Sequence, residues 1–256
     1  MDFITLNNSM VSFSINSWLA VLITAAMAYL LGSTNWAIIV TRVFAHEDIR
    51  KVGSGNAGAT NVLRSQGVFL AILTLIGDIG KGILAAFLGG WIMSWVQLSP
   101  SDAERILTYE SLTLLGQYVA GLFVVIGHLY PVFHGFRGGK GVAATMGLLF
   151  VLDWRMALMC GGMFVLTVAG SRMVSLGSVL ALSYVPVLTF LFRYWADDMP
   201  IETVIFCTVV SGVVALIVIF KHGSNMRRIA NGTERRIGQE ATAEAETATA
   251  ETTEET

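Results

Sequence analysis

The sequence predicts an all-α, polytopic helical membrane protein with about seven transmembrane helices, its N-terminus outside and its C-terminus cytoplasmic. Two observations carry this. Charged residues make up 13% of the 256-residue chain and apolar residues 54%, against about 25% charged in an ordinary soluble domain. Apolar runs of the length that crosses a bilayer, about 18 residues or more, also recur along the chain.

The runs fall at 18–40, 69–96, 112–130, 142–152, 156–169, 174–192 and 201–220. No base precedes Arg42, so the first run lacks the charged leader of a signal peptide and is expected to stay in the membrane. The fourth is short, about 16 Å as a helix against a hydrocarbon core about 30 Å thick. Merging it with the fifth would give six spans, with Asp153 and Arg155 buried inside one of them. The positive-inside rule decides between the two. Seven spans put twelve basic residues on the inner face and only Arg105, Arg155 and Arg193 outside; six spans put seven on each side. Residues 1–238 are expected to form a single transmembrane domain. Residues 239–256 hold six glutamates and no base; without them the chain carries sixteen basic and twelve acidic residues. This tail of Ala, Thr and Glu predicts disorder. Cys160 and Cys207 lie in apolar runs and predict buried thiols rather than a disulfide or a metal site.

Two polar, glycine-rich loops follow apolar runs: Gly53-Ser54-Gly55-Asn56-Ala57-Gly58-Ala59-Thr60-Asn61 and Phe136-Arg137-Gly138-Gly139-Lys140-Gly141. Glycines permit positive φ and close backbone approach, so successive N–H groups can converge on an anion. The plainer alternative is a pair of ordinary turns. Against it stand Ser54, Asn56, Thr60 and Asn61 among the glycines, with Arg64 and Lys140 beside them. Backbone donors, side-chain donors and cations together are what a phosphate requires. The first loop matches G-x-G-x-x-G, but an apolar span and a charged stretch precede it, not the strand a dinucleotide fold needs. The second is no Walker A loop, because Gly141 replaces the Ser/Thr required for Mg²⁺. Asp78 and Lys81, three residues apart inside the second run, are expected to satisfy one another. His128 is either a cap or packing residue or a base; His222 and Asn225, one helical turn apart, are site candidates. His46 and His134 read as loop residues, and Trp91 and Trp95 as interfacial anchors.

The stretch from Lys51 through Arg64 resembles the first motif of the bacterial integral-membrane acyl-phosphate:glycerol-3-phosphate acyltransferases. Gly127-His128-Leu129-Tyr130-Pro131-Val132-Phe133-His134-Gly135-Phe136-Arg137-Gly138-Gly139-Lys140-Gly141 resembles their second. Ser175-Leu176-Gly177-Ser178 is similar to the third. His222-Gly223-Ser224-Asn225 and Asn231-Gly232-Thr233-Glu234 are similar to the C-terminal signature. The order and spacing hold over residues 17–238. Arg137 stands where lysine is also common, and the acidic tail has no counterpart.

This resemblance implies transfer of a fatty acyl group from acyl-phosphate to the 1-hydroxyl of glycerol 3-phosphate. The products would be lysophosphatidic acid and phosphate, in the first step of phospholipid synthesis at a bacterial inner membrane. It implies no cofactor, metal or nucleic acid; the partners are the two substrates, membrane lipid and the enzyme that makes acyl-phosphate. Two phosphates fit two anion sites, and the mixed anhydride already carries a good leaving group. What remains is to align the hydroxyl and stabilise an oxyanion, for which Ser54, Asn56 and loop amides are candidates. Arg64 and Lys140 would hold phosphates, and His222 and Asn225 complete the catalytic set. Gly53, Gly55, Gly58, Thr60, Asn61, His128, Gly138, Gly139, Gly141, Ser175, Ser178 and Glu234 would line the substrates. A substrate phosphate oxygen could take the proton in place of a histidine. The alternative is a membrane transporter of a phosphorylated metabolite, but its polar motifs would be expected at the midplane rather than at one face. A histidine–aspartate acyltransferase needs H-x-x-x-x-D, and no histidine here has an aspartate five residues on.

Overall fold

The structure, a computed structural model, describes residues 15–96 and 109–239. The acidic tail from 240 onward and most of the predicted 99–110 loop lie outside the described residues. Among the described residues every regular element is helical. They are α1 (Ile15–Ser33), α2 (Trp36–Val40), α3 (Ala59–Gln66), α4 (Val68–Ser94), α5 (Tyr109–Leu129), α6 (Val142–Leu152), α7 (Trp154–Ser171), α8 (Val174–Leu191), α9 (Ile201–Lys221) and α10 (Gly223–Ala230). Six segments are long and apolar enough to cross a membrane, and α6 is a shorter apolar helix.

The first run, expected as a span over 18–40, lies within one candidate span, Ser17–Ala45, built from two α-helices rather than one. It breaks after Ser33, and Asn35 restarts it as N-cap: its Oδ1 accepts from the Ile38 amide at 3.1 Å. One polar residue inside an apolar run thus divides the span, because its side chain satisfies an amide that the helix cannot. The break between α6 and α7 lies where the charge argument places it. Asp153 is extended, with φ −168°, and its Oδ1 caps α7 by accepting from the Arg155 amide at 2.9 Å. Arg193, buried, donates to the Leu152 carbonyl and so closes the C-terminus of α6. Asp197 ties both arginines, 2.7 Å from Arg155 and 2.6 Å from Arg193.

Glycines set the helix contacts. A Cβ on Gly32 or Gly127 would strike the Val124 or Tyr29 carbonyl across the α1–α5 crossing. Gly82 and Gly147 play the same part between α4 and α6, and Gly89 and Gly116 between α4 and α5. Lipid supplies no hydrophobic drive between helices, so such close van der Waals approach does the packing. The core they enclose includes Ala28, Tyr118, Val124, Leu149, Met156, Leu182 and Val214. Phe69, Trp95, Leu166 and Phe220 face outward. Cys160 and Cys207 are free, buried thiols, as their setting predicts.

Candidate functional site

At one end of the bundle, four segments distant in sequence surround a cavity of about 870 Å³. The first glycine loop, the second, the start of α8 and the α9–α10 junction with the segment to Glu234 all contribute to its wall.

The first loop turns through Gly53 and Gly55, both at positive φ. Asn61, on α3, reaches back to hold it. Its Oδ1 accepts from the Ser54 amide at 2.9 Å, and its Nδ2 donates to Val52 and Ile49 carbonyls at 3.0 and 3.2 Å. Asn61 therefore borders the cavity while its side-chain amide fixes the loop. The second loop folds back on the end of α5, with Gly138 and Gly139 amides donating to Leu129 and His128 carbonyls at 3.2 Å each. At Gly139 the loops touch: a Cβ there would run into the Ala57 carbonyl and His128 Nε2.

The same hydrogen bonds engage part of the loop amides expected to cradle an anion. Besides Ser54, Gly138 and Gly139, Gly55 donates to Val52 O at 3.1 Å and Gly58 to Asn56 O at 3.0 Å. An amide already donating inside the protein is not free for a phosphate. The glycines permit the turns and the contact between loops. The cavity wall still offers side-chain donors, Ser54, Asn56, Thr60, Arg64 and Lys140, together with the first amides of α3 and α6, two helices that no side chain caps. Gly141, at φ +87°, opens α6, and its carbonyl accepts from Thr145 Oγ1 at 2.9 Å. Arg137 is exposed and outside the cavity wall.

Glu234 organises the third and fourth segments. Its Oε1 accepts from Ser175 Oγ and Asn225 Nδ2, both at 2.6 Å, and its Oε2 from Arg228 Nε at 2.8 Å. Burial pushes its carboxyl up, but these three donors outweigh burial and hold it below the ordinary range. Lys140 Nζ donates to Asn225 Oδ1, so the chain Lys140–Asn225–Glu234 joins second loop to last motif. Burial pulls the Lys140 ammonium down to about 8; Glu234 opposes this, and the Arg228 and Arg64 charges add to it. Ser178 gives its hydroxyl to Val174 O at 2.8 Å. Arg64 lines the cavity with one nitrogen 3.2 Å from Arg235 O. His222 is buried, its Nδ1 2.8 Å from the Val218 carbonyl. A carbonyl only accepts, so Nδ1 carries the proton and Nε2 is bare. Burial lowers this imidazole to about 4, which leaves it neutral and weakly basic.

Asp78 and Lys81 form the pair expected of them, with Nζ 2.9 Å from Oδ1, and His128 joins it across α4 and α5. Sequence reasoning gave Arg228, Lys221, Ser224 and Arg235 no role, yet all four line the cavity. Arg228 lies one turn beyond Asn225 on α10, a signal that helical spacing offered. Away from the loops the wall turns apolar, with Met146, Leu149, Cys160, Phe164 and Leu182.

A helical bundle in the membrane whose cavity joins a cationic, hydroxyl-rich end to an apolar wall defines an enzyme of lipid metabolism. Residues 22–232 match the model of the glycerol-3-phosphate acyltransferase family, and the chain belongs to that family. Glycerol-3-phosphate acyltransferase of Clostridioides difficile strain 630 is 38% identical over 218 residues, 85% of this chain and 96% of that one. Its counterpart from Jannaschia sp. strain CCS1 is 37% identical, covering 85% and 93%. Among solved structures, the glycerol 3-phosphate form of PlsY (YgiH), an integral membrane glycerol 3-phosphate acyltransferase, superposes with a TM-score of 0.68 at 31% identity. It covers 87% of this chain and 98% of that one.

Proposed function

We propose that this protein transfers a fatty acyl group from acyl-phosphate to the 1-hydroxyl of glycerol 3-phosphate, on the cytoplasmic face of a bacterial inner membrane. The hydroxyl oxygen attacks the carbonyl carbon, the bond from that carbon to the phosphate oxygen breaks, and lysophosphatidic acid and phosphate are released. Family membership supports the acceptor and the class of reaction. The observation that carries the rest is the cavity's two characters: cations and hydroxyls from four motifs at the loop end, and an apolar wall between helices for the chain. The solved relatives are in a glycerol 3-phosphate form and a lysophosphatidic acid form, which agrees with this substrate and product.

Arg64 and Lys140 hold phosphate oxygens, Ser54 and Asn56 orient the reacting groups, and the Asn225–Glu234 pair fixes Lys140. His222, at about 4, is a poor acceptor at neutral pH. A phosphate monoester, with a second pKa of about 6, is the better destination for the hydroxyl proton. Residues 1–238 act as one domain, supplied by an enzyme that makes acyl-phosphate. Purified protein given acyl-phosphate and glycerol 3-phosphate should release phosphate and lysophosphatidic acid in equal amounts. Movement of glycerol 3-phosphate into sealed vesicles without acylation would instead establish the transporter reading.

A further inference from the structure

The family resemblance places His128 beside the substrates without saying what it does there, and none of the roles above uses its buried neighbours Asp78 and Lys81. The Lys81 ammonium lies 3.0 Å from Gly32 O, 2.9 Å from Thr34 O and 2.8 Å from His128 Nδ1. Its three protons match these three neighbours. The carbonyls can only accept, and Asp78 Oδ1, although 2.9 Å from Nζ, makes an ion pair without a hydrogen bond, so the third proton falls on Nδ1. Asp78 Oδ1 is 2.9 Å from Nζ but 3.5 Å from Nδ1, so the carboxylate neutralises the ammonium rather than the ring. Nδ1 is then an acceptor, and the proton of the neutral imidazole sits on Nε2. This is the opposite tautomer to that of His222.

His128 borders the cavity and is 3% exposed. Its Nε2 faces the space that a side chain at position 139 would fill. No described residue accepts a hydrogen bond from it. An N–H on the cavity wall without a protein acceptor is free to donate to a bound ligand. Building on the function proposed above, the geometry points to His128 Nε2–H as a donor to a substrate oxygen. Lys81 and Asp78 are positioning residues that fix its tautomer. A nitrogen that already carries a proton cannot remove one, so His128 is not the base.

Nitrogen NMR of the full chain in detergent, with labelled histidines, tests the tautomer. The His128 signal is assigned by its loss in His128→Gln. At neutral pH it should show the Nε2–H form, and Lys81→Met should abolish that fixed pattern. An Nδ1–H or imidazolium signal in the wild type overturns the inference. Kinetics test the contact. His128→Leu should lower kcat/KM by about 10- to 150-fold. His128→Gln, whose amide nitrogen reaches the Nε2 position, should recover to within about tenfold of wild type. Wild-type rates in His128→Leu, or a Gln variant as impaired as the Leu variant while equally folded, also overturn it. Failure of the wild type to use acyl-phosphate would sink the donor assignment instead, and would leave the NMR result standing.

Discussion

Lys140 is the cation most exposed to control by its surroundings. Its ammonium, brought down to about 8 by burial, is charged below that pH and neutral above it. Because kcat/KM reports the free enzyme, it should fall as pH rises through about 8. Lys140→Arg should remove this alkaline limb, since guanidinium keeps its charge there. It should still not restore full activity, because a planar fork does not replace a compact ammonium in a tight turn. Lys140→Ala and Arg64→Ala should each cost a charge-assisted hydrogen bond of about 1.5–3 kcal/mol, or 10- to 150-fold in kcat/KM. His222 sets a different test. With its imidazole near 4 and Nδ1 engaged by Val218, His222→Ala should change KM and leave the shape of the pH–rate profile intact. A profile whose acid limb flattens would make His222 the base.

At the scale of elements, the two glycine loops are built from the inside. Asn61 makes three hydrogen bonds that close the first loop, and Gly139 lets the second loop approach it. Gly139→Ala should therefore abolish activity by separating the loops, while the protein still inserts and retains its helical circular dichroism. Asn61→Ala should lower the unfolding temperature as well as activity, since it removes three hydrogen bonds that hold the loop, each contributing about 0.5–1.5 kcal/mol. Full activity in Gly139→Ala would show that the loops need not touch. Both loops, which line the cavity, were legible in the sequence as candidate sites, because glycine, hydroxyl and cation cluster within a few residues. Their hydrogen bonding was not. The acceptors that engage the Gly138 and Gly139 amides are carbonyls at the end of α5, and nothing in local composition reveals that.

For the molecule as a whole, hydropathy gave the spans to within a few residues, because lipid exposure is written directly into composition. The break at Asn35 escaped notice because one capping residue does not lower the hydropathy of a long run. The Asp78–Lys81 pair followed from spacing, but its third member, His128, lies 47 residues from Lys81 in sequence and is joined only by the crossing of α4 and α5. Convergence of four motifs on one cavity is likewise a tertiary fact. The proposed orientation rests on the charge count alone. Single cysteines at Gly135 and Thr242 should be protected from impermeant reagent in intact cells, and one at Ser101 should react. External labelling at 242 would restore six spans.

The central claim is that this cavity takes an acyl-phosphate, and a donor competition tests it most directly. Purified protein in lipid, with saturating glycerol 3-phosphate, is given acyl-phosphate or acyl-CoA of the same chain. Only acyl-phosphate should support lysophosphatidic acid formation, without added metal, because the polar end of the cavity offers side chains matched to a phosphate group. Equal kcat/KM with acyl-CoA would contradict the account.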